Sequence, residues 1–173
     1  MSAAATHIDA FDLLGLPERF DLDAAVIESA FFAKSRELHP DRFATAPADA
    51  RVAALSRSRA LNDAYQTVKK PVPRAEYLLA RAGVTIGDNE RLDPSFLMEI
   101  LELREELAEA RVAKRTSEVE ALQAKMAARR KVAVGALPAL FDAHDLPAIK
   151  EQLIALRYLD RYLAECDAAL DQD

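Results

Sequence analysis

Apolar positions recur along this chain at three- and four-residue spacing, with little of the two-residue alternation of a half-buried strand. Residues 9–15, DAFDLLG, predict a short helix stopped by Gly15, with Pro17 preventing its continuation. Asp21 or Asp23 is placed to cap a second helix through about Leu38. Val26, Ala30, Ala33 and Leu38 give it a roughly helical stripe, and Phe31 and Phe32 add bulk. Pro40 disfavours helical geometry at His39 and removes a backbone donor, so that helix ends there. A third helix is expected from about Pro47 to Lys69, with Val52, Leu55, Leu61, Tyr65 and Val68 as its core positions. Two prolines in KKPVPRAEYLLARAG then interrupt the chain, before a short helix from about Arg74 to Gly83.

The stretch GVTIGDNERL holds two of the four glycines and reads as a domain boundary. Residues 1–82 are expected to form one domain, 83–92 a linker and 93–173 a three-helix domain. Asp93 as N-cap with Pro94 at the first helical position starts the first of these helices. SEVE, Ser117 to Glu120, matches a capping box for a middle helix to about Phe141. Asp145 with Pro147 begins the last, which runs to the C-terminus. Short connections favour antiparallel neighbours.

Two of these helices carry more apolar surface than one stripe. At about 100° per residue, Phe96, Ile100, Leu103 and Leu107 share one face of FLMEILELREEL. Leu97, Leu101 and Met98 point roughly 100°, 140° and 200° away from Phe96, bordered by Glu102, Glu105 and Glu109. A small bundle cannot bury both sides of a peripheral helix. Either the first domain covers Leu97, Met98 and Leu101, or they form an exposed apolar patch with an acidic rim, the composition of a binding site. In the last helix Ile149, Leu153, Leu156 and Leu163 make one stripe, while Ile154, Tyr158 and Tyr162 point away from it, where an aromatic is either a satellite core residue or an interface anchor.

Composition narrows the function. Of 173 residues 51% are hydrophobic and 30% charged, which suits a globular chain. The net charge is −6, most of it in the second half, which carries fourteen basic and nineteen acidic residues after residue 70. A general nucleic-acid or anionic-membrane surface is therefore not expected. The one basic cluster, ARRK at 128–131 with Lys125, fits helix charge pairing on an acidic domain better than phosphate binding. A single cysteine, Cys166, excludes an intrachain disulfide and a CxxC zinc site. His7, His39 and His144 are far apart, and neither a Gly-rich phosphate loop nor a nucleophile elbow is present, so neither enzyme, cofactor nor small-molecule substrate is expected. MSAAATHIDAF lacks the features of a signal or transit peptide, and no run is apolar enough to span a membrane, which leads to the expectation of a cytoplasmic protein.

The chemistry concentrates in RELHPDRF, residues 36–43. A proline there rigidifies the turn and lowers the ordering cost of binding. Asp41 offers a carboxylate for a charge-assisted pair with an arginine, and His39 can donate from one ring nitrogen while the loop holds the other. The tripeptide lies between two predicted helices, with FDLLGL upstream and ALNDAYQTV downstream. Taken together, Phe11, Leu13, Leu14, Gly15, His39-Pro40-Asp41, Asn62, Ala64 and Tyr65 resemble the J-domain family, the partners of DnaK-type chaperones. The resemblance implies an all-α fold, in which an N-terminal J-domain (an antiparallel hairpin with the HPD loop) precedes a C-terminal three-helix bundle. It also implies that His39, Pro40 and Asp41 dock at a chaperone's ATPase domain and stimulate hydrolysis. Lys34, Arg36 and Arg42 would add to that contact, although Glu28 and Glu37 dilute the basic face usual in the family.

FLMEILELREELAEA and LRYLDRYL, with RAEYLL between the domains, extend the likeness over essentially the whole chain to the HscB family, J-domain co-chaperones of iron–sulfur cluster assembly. That resemblance implies two partners, the scaffold protein IscU and the dedicated chaperone HscA. The scaffold would meet Leu97, Met98, Leu101, Glu102, Arg104, Glu105 and Glu109, with Tyr158 where the family often has phenylalanine. Eukaryotic members carry an N-terminal cysteine-rich extension, so a bacterial protein is expected. The competing reading is a general protein-folding J-protein whose C-terminal bundle binds unfolded clients. The acidic rim around three apolar residues argues for one partner instead.

Overall fold

The computed structural model describes residues 9–87, 90 and 93–171, and of Pro40 the backbone alone. The fold is all-α, with no strand among the described residues. Its helices are α1 (Ala10–Leu14), α2 (Ala24–Glu37), α3 (Ala48–Lys69), α4 (Pro71–Arg81), α5 (Pro94–Val112), α6 (Thr116–Asp142) and α7 (Leu146–Leu170), with a 3-10 turn at Pro40–Phe43. The chain divides into two compact units, Met1–Leu78 and Leu79–Asp173, the division falling inside α4.

In the first unit local capping sets the starts and stops. Asp9 accepts the amides of Phe11 at 2.7 Å and Asp12 at 3.1 Å, and Gly15 closes α1 in the left-handed region at φ 68°. Asp23, not Asp21, caps α2 by accepting from the Ala25 amide at 2.7 Å. α2 and α3 form a hairpin against which α1 packs. The core holds Phe11, Leu14, Ile27, Leu61 and Val68, each at most 1% exposed.

The apolar stripes of this hairpin differ from the expected ones. Val26, Val52 and Leu55 are exposed, as is Phe32, while Ile27, Ala54 and Ala64 are buried. Ile27 sits about 100° round the helix from Val26. α4 also differs. It starts at Pro71, so both prolines lie in its first turn, where a missing N–H leaves no intrahelical bond broken. Three residues on, the Arg74 guanidinium is buried and donates to the carbonyls of Val68 at 2.8 Å, Phe20 at 2.5 Å and Leu22 at 3.3 Å. It therefore ties the end of α3 to the loop before α2. Burial holds its pKa below the usual arginine value.

In the second unit α5, α6 and α7 form a three-helix bundle. Asp93 caps α5 through the amides of Ser95 at 2.9 Å and Phe96 at 3.2 Å, and Asp145 caps α7 through Ala148 at 3.1 Å. The expected capping box at Ser117–Glu120 does not form. α6 already begins at Thr116, and Arg115 at the cap position makes no side-chain cap bond. Its entry is set instead by the α5–α6 turn, where Lys114 takes φ 53°.

The core stripe of α5 is Ile100, Leu103, Leu107 and Ala110, packed with Val119, Met126 and Leu137 of α6 and with Ile149, Leu153 and Leu156 of α7. On α7 Ile154 and Tyr162, expected to point away, are buried as well, and the Tyr162 hydroxyl donates to the Leu103 carbonyl at 3.0 Å. Burial raises the phenol pKa, and it pushes the Cys166 thiol up to about 11. That is the behaviour of an inert core cysteine. Of the expected linker 83–92, residues 84–87 carry no helix and residues 88, 89, 91 and 92 lie outside the described residues. Glu90 pairs with Lys150 of α7 at 2.8 Å and accepts from the Gly87 amide at 2.9 Å. No helix among the described residues is long and apolar enough to cross a membrane.

Candidate functional site

Two surfaces carry the residues singled out above, one in each unit. The first is the turn after α2. The helix ends with the Leu38 amide donating to the Lys34 carbonyl, and His39 turns extended, at φ −61° and ψ 128°, as the residue before proline must. Pro40 opens the 3-10 turn, its side chain lying outside the described residues. Nδ1 of His39 accepts the Asp41 amide at 3.3 Å, and the Arg42 amide donates to the His39 carbonyl at 3.0 Å. With Nδ1 used as an acceptor, the neutral ring carries its proton on Nε2, which is left to donate outward. The Asp41 side chain is 89% exposed, and its Oδ2 stands 3.5 Å from the same Nδ1. The turn thus presents the Asp41 carboxylate as an acceptor and the His39 ring as a donor to solvent.

The neighbouring cations are less available than their number suggests. Lys34 pairs with Glu37 at 3.3 Å, and Arg42 folds back to donate to the Arg36 carbonyl at 3.4 Å. Arg36 is exposed.

The second surface is the outer face of α5. Leu97, Met98 and Leu101 are 40%, 58% and 46% exposed, and Glu102, Glu105 and Glu109 are exposed beside them. Arg104 is held in place by a two-pronged pair to Glu165 of α7, at 3.2 Å from Nε and 2.7 Å from Nη2. It supplies a fixed guanidinium edge rather than a roaming charge. Tyr158 is half-buried, and its ring meets Phe96 edge-on at 6.4 Å, with the Arg161 guanidinium 5.8 Å over it. Phe96 points about 100° from Leu97 and about 200° from Met98, so Tyr158 reaches one flank of α5 and not the middle of the patch.

Sequence reasoning missed two features here. An open groove of about 370 Å³ continues from Glu109, lined by Glu106, Arg115, Glu118, Leu122 and Lys125. The α5–α6 turn creates it, and no spacing within one helix announces it. Arg129 of α6 lies 5.1 Å over the Phe96 ring and pairs with Glu99, which places part of the ARRK run in an intradomain network. His7 lies outside the described residues, and no His, Cys, Asp and Glu cluster suited to a metal occurs among the described ones.

Comparison with known proteins shows what the chain as a whole is similar to. Residues 92–167 match a family model described as the HSCB C-terminal oligomerisation domain. A co-chaperone protein HscB homolog from Azoarcus sp. (strain BH72) is 37% identical over 166 residues, covering 94% of each chain. One from Burkholderia mallei (strain SAVP1) is 38% identical over 165 residues, with the same coverage. Among solved structures, the chaperone HscB from Vibrio cholerae superposes with a TM-score of 0.82 at 35% identity, over 95% of this chain and 99% of that one. The human co-chaperone protein HscB gives a TM-score of 0.86 at 26% identity, over 97% of this chain and 85% of the other.

Proposed function

The chain belongs to the HscB family of co-chaperones, and on that premise we propose that it is a non-enzymatic adaptor between an iron–sulfur scaffold and an ATP-driven chaperone. The scaffold IscU binds α5 through Leu97, Met98 and Leu101, with Glu102, Arg104, Glu105 and Glu109 at the rim and Tyr158 at the flank. The HPD turn then engages HscA, a DnaK-type chaperone, in the bacterial cytoplasm and stimulates its ATP hydrolysis, which promotes cluster assembly and transfer. The observation that carries this reading is the row of exposed apolar side chains on α5, on a helix whose other face supplies Ile100, Leu103, Leu107 and Ala110 to the core.

Each partner meets a surface suited to it. The α5 patch gains on burial about 25 cal/mol for each Å² of apolar area removed from water. Its carboxylates steer a basic partner and reject acidic ones. At the turn, Asp41 accepts a charge-assisted bond from a cationic side chain of the chaperone, while His39 Nε2 donates. The two surfaces use different elements, so both partners bind one chain without competing for a residue.

Two measurements test the proposal. Calorimetry of the Leu97→Ala/Met98→Ala/Leu101→Ala variant against purified IscU should show binding weakened by about a hundredfold or more. Unchanged affinity in a folded variant removes α5 as the scaffold site. Single-turnover hydrolysis by HscA with Asp41→Asn should show stimulation lost, because the isosteric change removes charge and little packing. Stimulation at the wild-type level removes the turn as the contact.

A further inference from the structure

α2 leads into the HPD turn, where Glu37 offsets Lys34 while Arg36 and Arg42 stay exposed and charged. Four residues before Arg36, on the same side of the helix, Phe32 is 55% exposed. Val26 is 51% exposed nearer the start of α2. An exposed phenyl ring gains nothing from burial in the free protein and gains it when a partner covers it, so its surroundings matter.

Phe32 is braced. Its ring lies 5.6 Å from that of Phe31, tilted by 51°. Phe31 in turn stacks on Tyr65 of α3 at 4.1 Å with the rings 13° apart, and Lys69 caps Tyr65 at 5.1 Å. Phe31 packs against the core of the first unit. The exposed ring is thus the outer member of an aromatic row rooted in that core. An apolar side chain held this way loses little rotamer freedom on being covered, which is the property of an interface anchor.

Position identifies what covers it. Phe32 precedes His39 by seven residues, about 10 Å along the helix. A standard interface covers about 800 Å² on each partner and is roughly 30 Å across. A chaperone seated on the HPD turn and the last turns of α2 therefore reaches Phe32. We infer that Phe32 is an apolar anchor for the chaperone, inserted into an apolar pocket beside the cationic group that meets Asp41, and that it adds apolar affinity to what the few cations of this face supply. This rests on the chaperone-docking reading proposed above. It divides the labour within that site: Phe32 sets how tightly the chaperone is held, and Asp41 sets how far hydrolysis is stimulated.

The test titrates full-length protein against HscA in steady-state ATPase assays, comparing the wild type with Phe32→Ala, Phe32→Gln and Asp41→Asn. Phe32→Ala and Phe32→Gln should raise the half-maximal concentration by about tenfold or more while the maximal stimulated rate is retained. Both should keep the melting temperature within a few degrees, as expected of an exposed position. Raising salt from about 50 to about 300 mM should change the wild-type half-maximal concentration less than about threefold, because the contact is mainly apolar. Phe32 variants within about twofold of the wild type, beside an inactive Asp41→Asn, overturn the anchor and leave the docking reading standing. A salt effect above about tenfold overturns the apolar mode. Sedimentation velocity showing a wild-type dimer dissolved by Phe32→Ala assigns the ring to a second copy of the chain instead. Full activity in every variant, Asp41→Asn included, overturns the docking reading and the anchor with it.

Discussion

α5 and α7 start with the same kind of sequence and end in different situations. Each is capped by an aspartate with a proline in its first turn, and each carries apolar side chains well beyond one stripe. On α7 much of the surplus is buried: Ile154 is 6% exposed and Tyr162 is fully covered. On α5 the surplus stays in solvent at Leu97, Met98 and Leu101. The difference is position in the bundle. α7 packs extensively with α6, its Tyr162 hydroxyl reaches across to the Leu103 carbonyl of α5, and Glu90 bonds to its Lys150. α5 is the peripheral helix, and none of the described residues of its own unit buries Leu97, Met98 or Leu101 on its outer face. Surplus apolar surface therefore reports an unmet need for burial, and only the neighbouring elements decide whether the fold or a partner meets it.

The sharpest way to break this comparison is to truncate both helices. Leu156→Ala, at a fully buried position of α7, should cost about 2–5 kcal/mol and remove much of the stability of so small a bundle. The triple alanine variant of Leu97, Met98 and Leu101 removes more apolar atoms, yet it should move the melting temperature by only a few degrees. Thermal denaturation by circular dichroism checks both. A collapse of the triple variant returns those side chains to the core and ends the distinction between the helices. A smaller effect is expected from Tyr162→Phe, which keeps the ring and deletes only the bond to Leu103, at about 0.5–1.5 kcal/mol in urea unfolding. A loss as large as that of Leu156→Ala would mean that the hydroxyl, and not the packing, secures α7.

How much of this could be read in advance follows the range of the interactions. Asp9 with Gly15, Asp93 with Pro94, and Asp145 all act where their residue types suggest, because a cap bonds to amides two or three residues away. The HPD turn was legible for the same reason, its His39 ring accepting the Asp41 amide. That Leu97, Met98 and Leu101 lie off the core face followed from helical geometry and bundle size, which left either the first domain or a partner to cover them. What failed depended on distant partners. Val26 and Val52 were read as core, but Ile27, Ala54 and Ala64 are the buried positions, since which neighbouring stripe faces inward is set by the partner helices and not by hydrophobicity alone. Whether Tyr162 is core or interface stayed open, because the acceptor that settles it, the Leu103 carbonyl, is 59 residues away. The Ser117–Glu120 box lost to a turn whose left-handed Lys114 already delivers the chain into α6. Arg74 gave no periodic signal, because its three acceptors lie in α3 and the loop before α2.

The smallest expected effect concerns how the two helices begin. Asp93 accepts from the Ser95 hydroxyl and from the amides of Phe96 and Ser95, and these bonds hold its carboxyl below its ordinary value of 3.8. Asp145 accepts the Ala148 amide at the start of α7. With its outer face in water, α5 has less packing to hold its first turn and should depend more on its cap. Asp93→Asn keeps the accepting oxygen but removes the charge that favours a helix N-terminus. At neutral pH it should lower the melting temperature by a few degrees, and Asp145→Asn should lower it by less. The folded pKa of Asp93 lies below its unfolded value, so its stabilising contribution is complete above about pH 5 and is lost as pH falls through the folded pKa, under 3.8. The gap between wild type and Asp93→Asn should accordingly stay constant from pH 7 to about pH 5 and close towards pH 3. Melting curves of the three proteins across that range decide it. A gap that persists at pH 3 would show that the asparagine disturbs the turn sterically, and an equal or larger loss from Asp145→Asn would mean that burial of the outer face does not relieve a helix of its dependence on the cap.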